Sequence, residues 1–407
     1  MKKFIITSAI CIVAILLFVT SVSFSAAQTS ESNIPEKDIL ERGVHFEDIN
    51  SLSMMVERSE LSQRIKREFD SLIYAEERRS REITIACVGD MVLGINYPDN
   101  APRFAVNDGR NLFDDVKEYL VSADLAVGNL EGVLLDTGGE PKHVSSPKFA
   151  FYFRMPCRYV ERFVDAGFDF LSVANNHLRD FGITGIRATL KTLKSAGIAH
   201  AGVKGECDIA IVERDSVRYG MCAFAPHLLM CPLDEDYAKK IIRSLREEHK
   251  CDIVIVSFHG GAEGLNAYRV PRTLEVCNDI PRGNVYKFAH SCIDAGADLI
   301  YGHGPHVVRG LELYKGKLIA YSLGNFCTPH GVKRDGRTGY APILRVKMSV
   351  TGEFLGGDII SATQPDRTGP KRDSAKIVVK EMRNLSIMDF PESPLRISEE
   401  GELFVDR

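Results

Sequence analysis

The sequence predicts an α/β fold, and three observations carry that prediction. From Glu82 onward, short apolar runs typical of buried strands alternate with stretches whose apolar residues recur at helical spacing. Six of those runs lead to Asp, Asn, Glu or His, five of them beside a glycine, as strands do when they feed polar loops at one edge of an open sheet. Of the 407 residues, 44% are hydrophobic and 26% charged, an average globular composition that excludes a wholly disordered chain.

Ahead of that body, Met1-Lys2-Lys3 precedes an unbroken apolar or small-residue run over 4–24, followed by Ser25-Ala26-Ala27. Lysines, an apolar core and small residues make an export signal. The run is also long enough for a signal anchor with its lysines inside. Cleavage near Ala27 is slightly favoured over anchoring by residues 4–24; either places the rest of the chain in the periplasm or at the cell surface. Residues 28–81 are charge-rich. Within them Leu52, Met55, Val56, Leu61, Ile65, Phe69, Leu72 and Ile73 recur three and four apart, which predicts a stalk helix over 54–79.

The main domain is expected over 82–348, with strands at 83–88, 125–127, 170–173, 217–224, 253–257, 299–301 and 318–322. Helices are expected between them at 112–120, 156–166, 182–196, 234–248 and 285–295. Past Ala341 come strands at 343–350 and 353–360, a helix near 374–383 and a polar end, so that residues 349–407 complete the same domain. This is an alternating α/β arrangement.

Charge and hydropathy remove whole classes of function. Lys and Arg number 51 against 55 Asp and Glu, a formal net charge of −4, without the basic excess of a nucleic-acid-binding protein. A mean hydropathy of −0.08 excludes a multi-span membrane protein. Of ten cysteines, Cys11 lies in the leader and the other nine are scattered without a Cys-x-x-Cys, so no cysteine zinc site is indicated. Cys87, Cys222 and Cys251 sit in apolar runs as small hydrophobes. An exported chain could pair some cysteines, Cys222 with Cys231 for example.

The strand ends carry the chemistry. In chain order they lead to Gly89-Asp90, to Gly128-Asn129-Leu130-Glu131, and to Ala174-Asn175-Asn176-His177 with Asp180 beyond. Next come His259-Gly260-Gly261-Ala262-Glu263, Gly302-His303-Gly304-Pro305-His306 and Leu323-Gly324-Asn325. Carboxyl ends of parallel strands face one crevice, so these loops are expected to converge on one polar site. Oxygen and imidazole donors suit a divalent metal such as Mn, Fe(II), Zn or Mg, as one ion or two. Such a centre supports hydrolysis: a metal-activated water attacks, and a histidine held by a carboxylate such as Asp180 protonates the leaving atom. No Gly-x-Ser-x-Gly elbow follows a strand, and no Gly-x-x-x-x-Gly-Lys-[Ser/Thr] loop is present, so neither a serine hydrolase nor a Walker-type ATPase is indicated.

The ordered series continues through Leu311-Glu312-Leu313-Tyr314-Lys315-Gly316 to Tyr321-Ser322-Leu323-Gly324-Asn325-Phe326. In this order and spacing it resembles the CapA family, the poly-γ-glutamate capsule synthesis proteins. The resemblance runs from Ile83 into the C-terminal region. It implies a calcineurin-like metallophosphoesterase fold, two packed mixed sheets flanked by helices. It also implies an exported, often membrane-anchored protein that handles an anionic γ-linked polymer beside membrane-bound capsule synthesis proteins. By motif position, Asp90, Asn129, Glu131, Asn176, His259, His303 and His306 stand at metal-ligand positions or beside them, and His177 at the general-acid position.

The chain departs from that pattern at three places. The fold's Asp-x-His is here Asp90-Met91-Val92; the commoner His-Trp-Gly-x-Glu has Gly260 at its second position; the commoner Gly-His-His-Pro-His has Gly304 at its middle. For an anionic polymer or phosphoester, Arg154, Glu263, Arg309 and Asn325 are the expected substrate-binding residues. Arg154 matches an arginine that the family often carries, and Arg309 lies close behind His306. His143, His200, His227 and His330 have no comparable setting. Two other functions stay open: a non-catalytic capsule accessory protein that binds the polymer, and an exported phosphatase unrelated to capsule.

Overall fold

The computed structural model describes residues 81–143 and 151–406, together with Arg67, Asp70 and Ser71, which are helical. The expected leader and all other residues of the expected stalk helix lie outside the described residues. The chain divides into two units, Met1–Tyr74 and Ala75–Arg407, and the second holds both large sheets. Among the described residues no helix is long and apolar enough to cross a membrane.

In chain order the second unit opens with β1 (Glu82–Met91), α1 (Lys117–Val121), β2 (Leu125–Leu130), α2 (Val160–Ala166), β3 (Phe170–Ser172), α3 (Gly182–Ser195) and β4 (Ala199–Ala201). A second series follows: β5 (Ile209–Arg214), β6 (Val217–Phe224), α4 (Glu235–Glu247), β7 (Ile253–His259), α5 (Val285–Asp294), β8 (Leu299–His303), β9 (Leu311–Tyr314) and β10 (Lys317–Ala320). The chain then returns with β11 (Asn325–Cys327), β12 (Ile343–Ser349), β13 (Phe354–Ile360), α6 (Ile377–Asp389), β14 (Leu395–Ile397) and β15 (Glu402–Val405).

The first sheet runs β14-β15-β13-β12-β1-β2-β3-β4, with β11 beside the end of β1; the second runs β9-β10-β8-β7-β6-β5. Alternation along each strand builds the layers. Ile85 of β1, Val127 of β2 and Phe170 of β3 share an apolar cluster with Met221 of β6, Ile255 of β7 and Tyr301 of β8, so the sheets pack face to face. Ala86 and Val88 turn the other way, toward Phe163 of α2 and Leu193 of α3. On the far side, Val254 and Ile300 pack on Ile242 and Leu245 of α4 and Phe288 of α5. The result is helix, sheet, sheet, helix: the two packed mixed sheets that the resemblance implies. Burying each such side chain contributes about 1.5–3 kcal/mol.

Local signals set the helix ends. Asp234 caps α4 by accepting from Tyr237 N, and Asn284 caps α5 through Lys287 N. The expected helix over 112–120 shortens to α1, because its first half is turn. Strands β4, β5, β9, β11 and the β14–β15 hairpin go beyond the sequence expectation. β5 is half-exposed, and β14 buries only Leu395 and Ile397 around an exposed Arg396. Runs that short or that polar carry little period-2 signal. All nine body cysteines are free thiols, so Cys222 and Cys231 form no disulfide.

Candidate metal centre

Strand register assembles the site. β1 lies parallel to both β2 and β11, which sets Asp90 opposite Asn129 on one side and Asn325 on the other. In the second sheet, parallel pairing of β7 and β8 sets His259 opposite His303. The two rows meet across the carboxyl ends of the strands. Asp90 Oδ1 stands 3.2 Å from His303 Nδ1, and its Oδ2 accepts from His306 Nδ1 at 2.8 Å. Glu131 Oε1 stands 3.2 Å from His259 Nε2. Asp90, Asn129, Glu131, His259 and His303 are all fully buried. His306 reaches Asp90 from a left-handed backbone, φ +59°, a strained conformation of the kind that collects at functional sites.

Burial dominates the electrostatics and the neighbours redirect it. Burial opposes the charged form of Asp90, yet the His303 and His306 imidazoles beside it hold its carboxyl well below the usual range. Burial likewise works against a charged His306, but the Asp90 hydrogen bond prevails and raises it to about 9. At Glu131, burial, then the Asp90 charge, outweighs the Asn129 hydrogen bond and lifts it to about 7. His259 is pushed well below its ordinary value by burial and by the Arg282 charge.

Several donor atoms here are buried without a hydrogen-bond partner: Glu131 Oε1, Asn176 Oδ1, His259 Nε2, Asn325 Oδ1 and both ring nitrogens of His303. As they stand, no three His, Cys, Asp or Glu among the described residues are spaced to hold an ion. Asp90 makes direct contact with both imidazoles, and accommodating a cation means parting those contacts. Val92 fills the position of the motif's missing histidine and is buried.

A second group stands beside the first. Asp180 Oδ2 accepts from His177 Nδ1 at 2.8 Å and from Phe153 N at 2.7 Å, and the Lys142 ammonium lies 2.5 Å from its other oxygen. The Phe153 ring stacks on His177 with centroids 4.1 Å apart. Asn175 holds the turn, its oxygen accepting from His177 N and Leu178 N.

Five expectations change on this geometry. Asn129 turns its amide nitrogen, rather than its oxygen, to Asp90 Oδ1 (2.8 Å) and Glu131 Oε2 (2.5 Å), while its oxygen accepts from Asn175, so it braces the carboxylates. Arg309 is fully buried, engaged by Glu275 at 2.9 and 2.6 Å and by Ala267 O at 2.7 Å, because the hairpin following β7 closes over it. Arg154 is buried as well, held by Asn96, Asp99 and Gly138 O and packed over Tyr97 and Phe181. Neither arginine is free to meet a substrate. Asn325 donates to His306 O and Thr338 O, placing its side chain in the frame of the site, and Glu263 pairs with Arg282 at 2.8 Å.

Three residues that sequence reasoning passed over belong to this neighbourhood: Lys142, Arg282 and His227. The His227 ring lies 6.0 Å from that of His259, and burial lowers its pKa to about 2. His227 follows the end of β6 by three residues, so the strand-end rule applied to β6 would have reached it.

A family model described as bacterial capsule synthesis protein PGA_cap matches residues 84–330, more than half of the chain and all of the strand ends above. The chain belongs to this capsule synthesis family. Among relatives, the capsule biosynthesis protein CapA of Bacillus anthracis is 27% identical over 277 residues, covering 64% of this chain and 63% of that protein. This chain therefore matches less than two thirds of that relative's length. The PGA biosynthesis protein CapA of Bacillus subtilis is 26% identical over 288 residues, covering 67% of this chain and 70% of that protein. Among solved structures, the calcineurin-like phosphoesterase YfkN from Bacillus subtilis aligns with a TM-score of 0.42 at 14% identity, over 75% of this chain and 98% of that one. A score that low leaves the family member's fold to rest on the layers described above.

Proposed function

We propose that this chain serves the synthesis or export of a γ-linked polyglutamate capsule. Its crevice then holds one or two divalent cations, Mn, Fe, Zn or Mg, for hydrolysis or transfer at a phosphoester or at the polymer's amide. The observation that carries this reading is the set of buried, unpartnered oxygen and imidazole donors between the two sheets. Each costs about 1–3 kcal/mol when left desolvated and unpaired. A hard divalent cation is the ligand that satisfies carboxylate, amide oxygen and imidazole together. Asp90, Glu131, Asn176, His259, His303 and His306 would hold it, with Asn129 bracing the two carboxylates.

When bound, such a cation supplies an activated water and draws charge from the scissile group. The chain's own contribution is acid catalysis and positioning. Asp180 fixes His177 by its Nδ1, so Nε2 is the nitrogen that delivers a proton to the leaving oxygen or nitrogen as the new bond to water forms. Lys142 and Phe153 N hold Asp180 in turn. Residues 1–27 would export the chain, as a cleaved signal or a retained anchor, toward membrane-bound capsule synthesis proteins.

The test is hydrolysis of a short oligo-γ-glutamate and of a chromogenic phosphodiester by the metal-loaded protein, before and after chelation. Turnover of one of them that chelation abolishes and Mn restores is the expected result. Binding of the oligomer with no turnover under any metal would make the chain a non-catalytic accessory protein.

A further inference from the structure

Between β7 and α5 a hairpin, Glu275–Cys277 paired with Ile280–Gly283, packs against the candidate centre. Glu275 anchors it: besides its two bonds to Arg309, it accepts from Ala262 N at 3.0 Å. The approach is backbone to backbone, with Gly261 N donating to Arg282 O at 2.9 Å. A Cβ on Gly260 would lie 3.0 Å from that carbonyl and 2.9 Å from Leu233. Gly304, at φ +116°, would place a Cβ 2.5 Å from Gly260 O. Of the two glycines at which the chain departs from the commoner family pattern, Gly260 therefore makes room for this hairpin and Gly304 for the backbone of Gly260.

What the hairpin delivers is Arg282. Only 4% exposed, it reaches Glu263 at 2.8 Å and His259 Nδ1 at 3.4 Å through Nη2. On the same His259 ring sits His227, from the loop after β6. Arg282 Nε and His227 Nε2 are both buried without a hydrogen-bond partner among the described residues. Arg309 and Arg154, by contrast, are fully engaged by protein groups. A guanidinium N–H and an imidazole N–H, desolvated and both beside the His259 ring, are the kind of donors that an oxyanion satisfies.

The geometry points to an oxyanion subsite formed by Arg282 and His227 beside the metal residues, which binds a carboxylate of the glutamyl unit next to the scissile bond. It rests on the polyglutamate reading for the identity of that carboxylate; on a phosphoester, the same donors take a phosphate oxygen. The subsite supplies local positive charge to a protein whose net charge is −4, where long-range attraction of a polyanion is absent.

The test titrates the full-length protein in Mn with a short oligo-γ-glutamate and, separately, with inorganic phosphate, comparing wild type with Arg282→Gln, Arg282→Lys and His227→Asn. Arg282→Gln and His227→Asn are expected to weaken oligomer binding by about tenfold or more, with Mn content unchanged and Arg282→Lys intermediate. Phosphate binding with the same dependence on both residues, in place of oligomer binding, keeps the subsite and assigns it to a phosphoester. Wild-type affinity for the oligomer in His227→Asn and Arg282→Gln, or no binding of either anion by wild type, overturns the proposal. Because His227 makes no ion pair, His227→Asn decides the matter if Arg282→Gln does not fold. Hydrolysis assayed on the same samples separates the two claims: lost binding without any wild-type turnover retains the subsite and removes the hydrolase, whereas turnover with unaltered binding does the reverse.

Discussion

At Asp90 a buried carboxylate faces two imidazoles, one at the end of β8 and one from the loop after it, while Glu131 faces His259 from β7. None of these contacts is local in sequence; Asp90 and His306 are 216 residues apart. They were legible because each residue directly ends or follows a parallel strand, and strand ends of one sheet face one way. His177 and Asp180 were legible for a local reason, since three residues apart within one turn they can meet without the rest of the fold. Arg282 was not legible: Ile280-Pro281-Arg282-Gly283, the short second strand of a hairpin, carries no signal of what it will face. Arg309 misled because closeness to His306 in sequence says nothing about burial, and it points to Glu275. The prediction at this scale concerns Asp180. Asp180→Asn removes the acceptor that sets the His177 tautomer, so turnover in the assay above should fall by about 10²–10⁴-fold with metal content unchanged. Unchanged turnover would remove His177 from the proton-transfer role.

The hairpin over 275–283 and the loop after β7 are held as one element by the buried Arg309–Glu275 pair. Glu275→Ala leaves a desolvated guanidinium without its carboxylate, a loss of about 3–5 kcal/mol in a urea melt. Replacing both partners with apolar residues of similar size should restore much of that stability, since no charge is then left buried and unpaired. A loss below about 1 kcal/mol would show that the pair does not hold the element. The elements that sequence patterns reveal are the central ones: β1, β6, β7 and β8 are apolar through most of their length because both faces are covered. β5 and β14 escape because an edge strand buries one face or a few residues. β11 escapes because Asn325-Phe326-Cys327 is only three residues long and pairs only at the tip of β1, too short a run to show a period although Phe326 and Cys327 are core.

Across the whole molecule, the segment that the family model matches stops at residue 330, yet the first sheet is not complete there. β12 pairs with β1 along Ile83–Val88 and buries Leu344 and Val346 in the inter-sheet core. α6 ties to the second sheet through Ser386 Oγ, which accepts from Leu311 N at 2.8 Å. A chain ending at residue 342 exposes that core and an unpaired β1 edge, and it should show no cooperative thermal transition; a normal transition would make 343–407 an appendage. With the near-balanced charge of the chain, attraction for the proposed anion would have to come from within the crevice, from the proposed cation and a few buried donors. The most direct measurement of that central claim is the metal content of the purified protein after equilibration with Mn, Fe, Zn or Mg, beside Asp90→Ala and His303→Ala. At least about one tightly held equivalent in the wild type, lost in both variants while their folded spectra persist, is the predicted result. A folded wild type that retains none of these metals would contradict it.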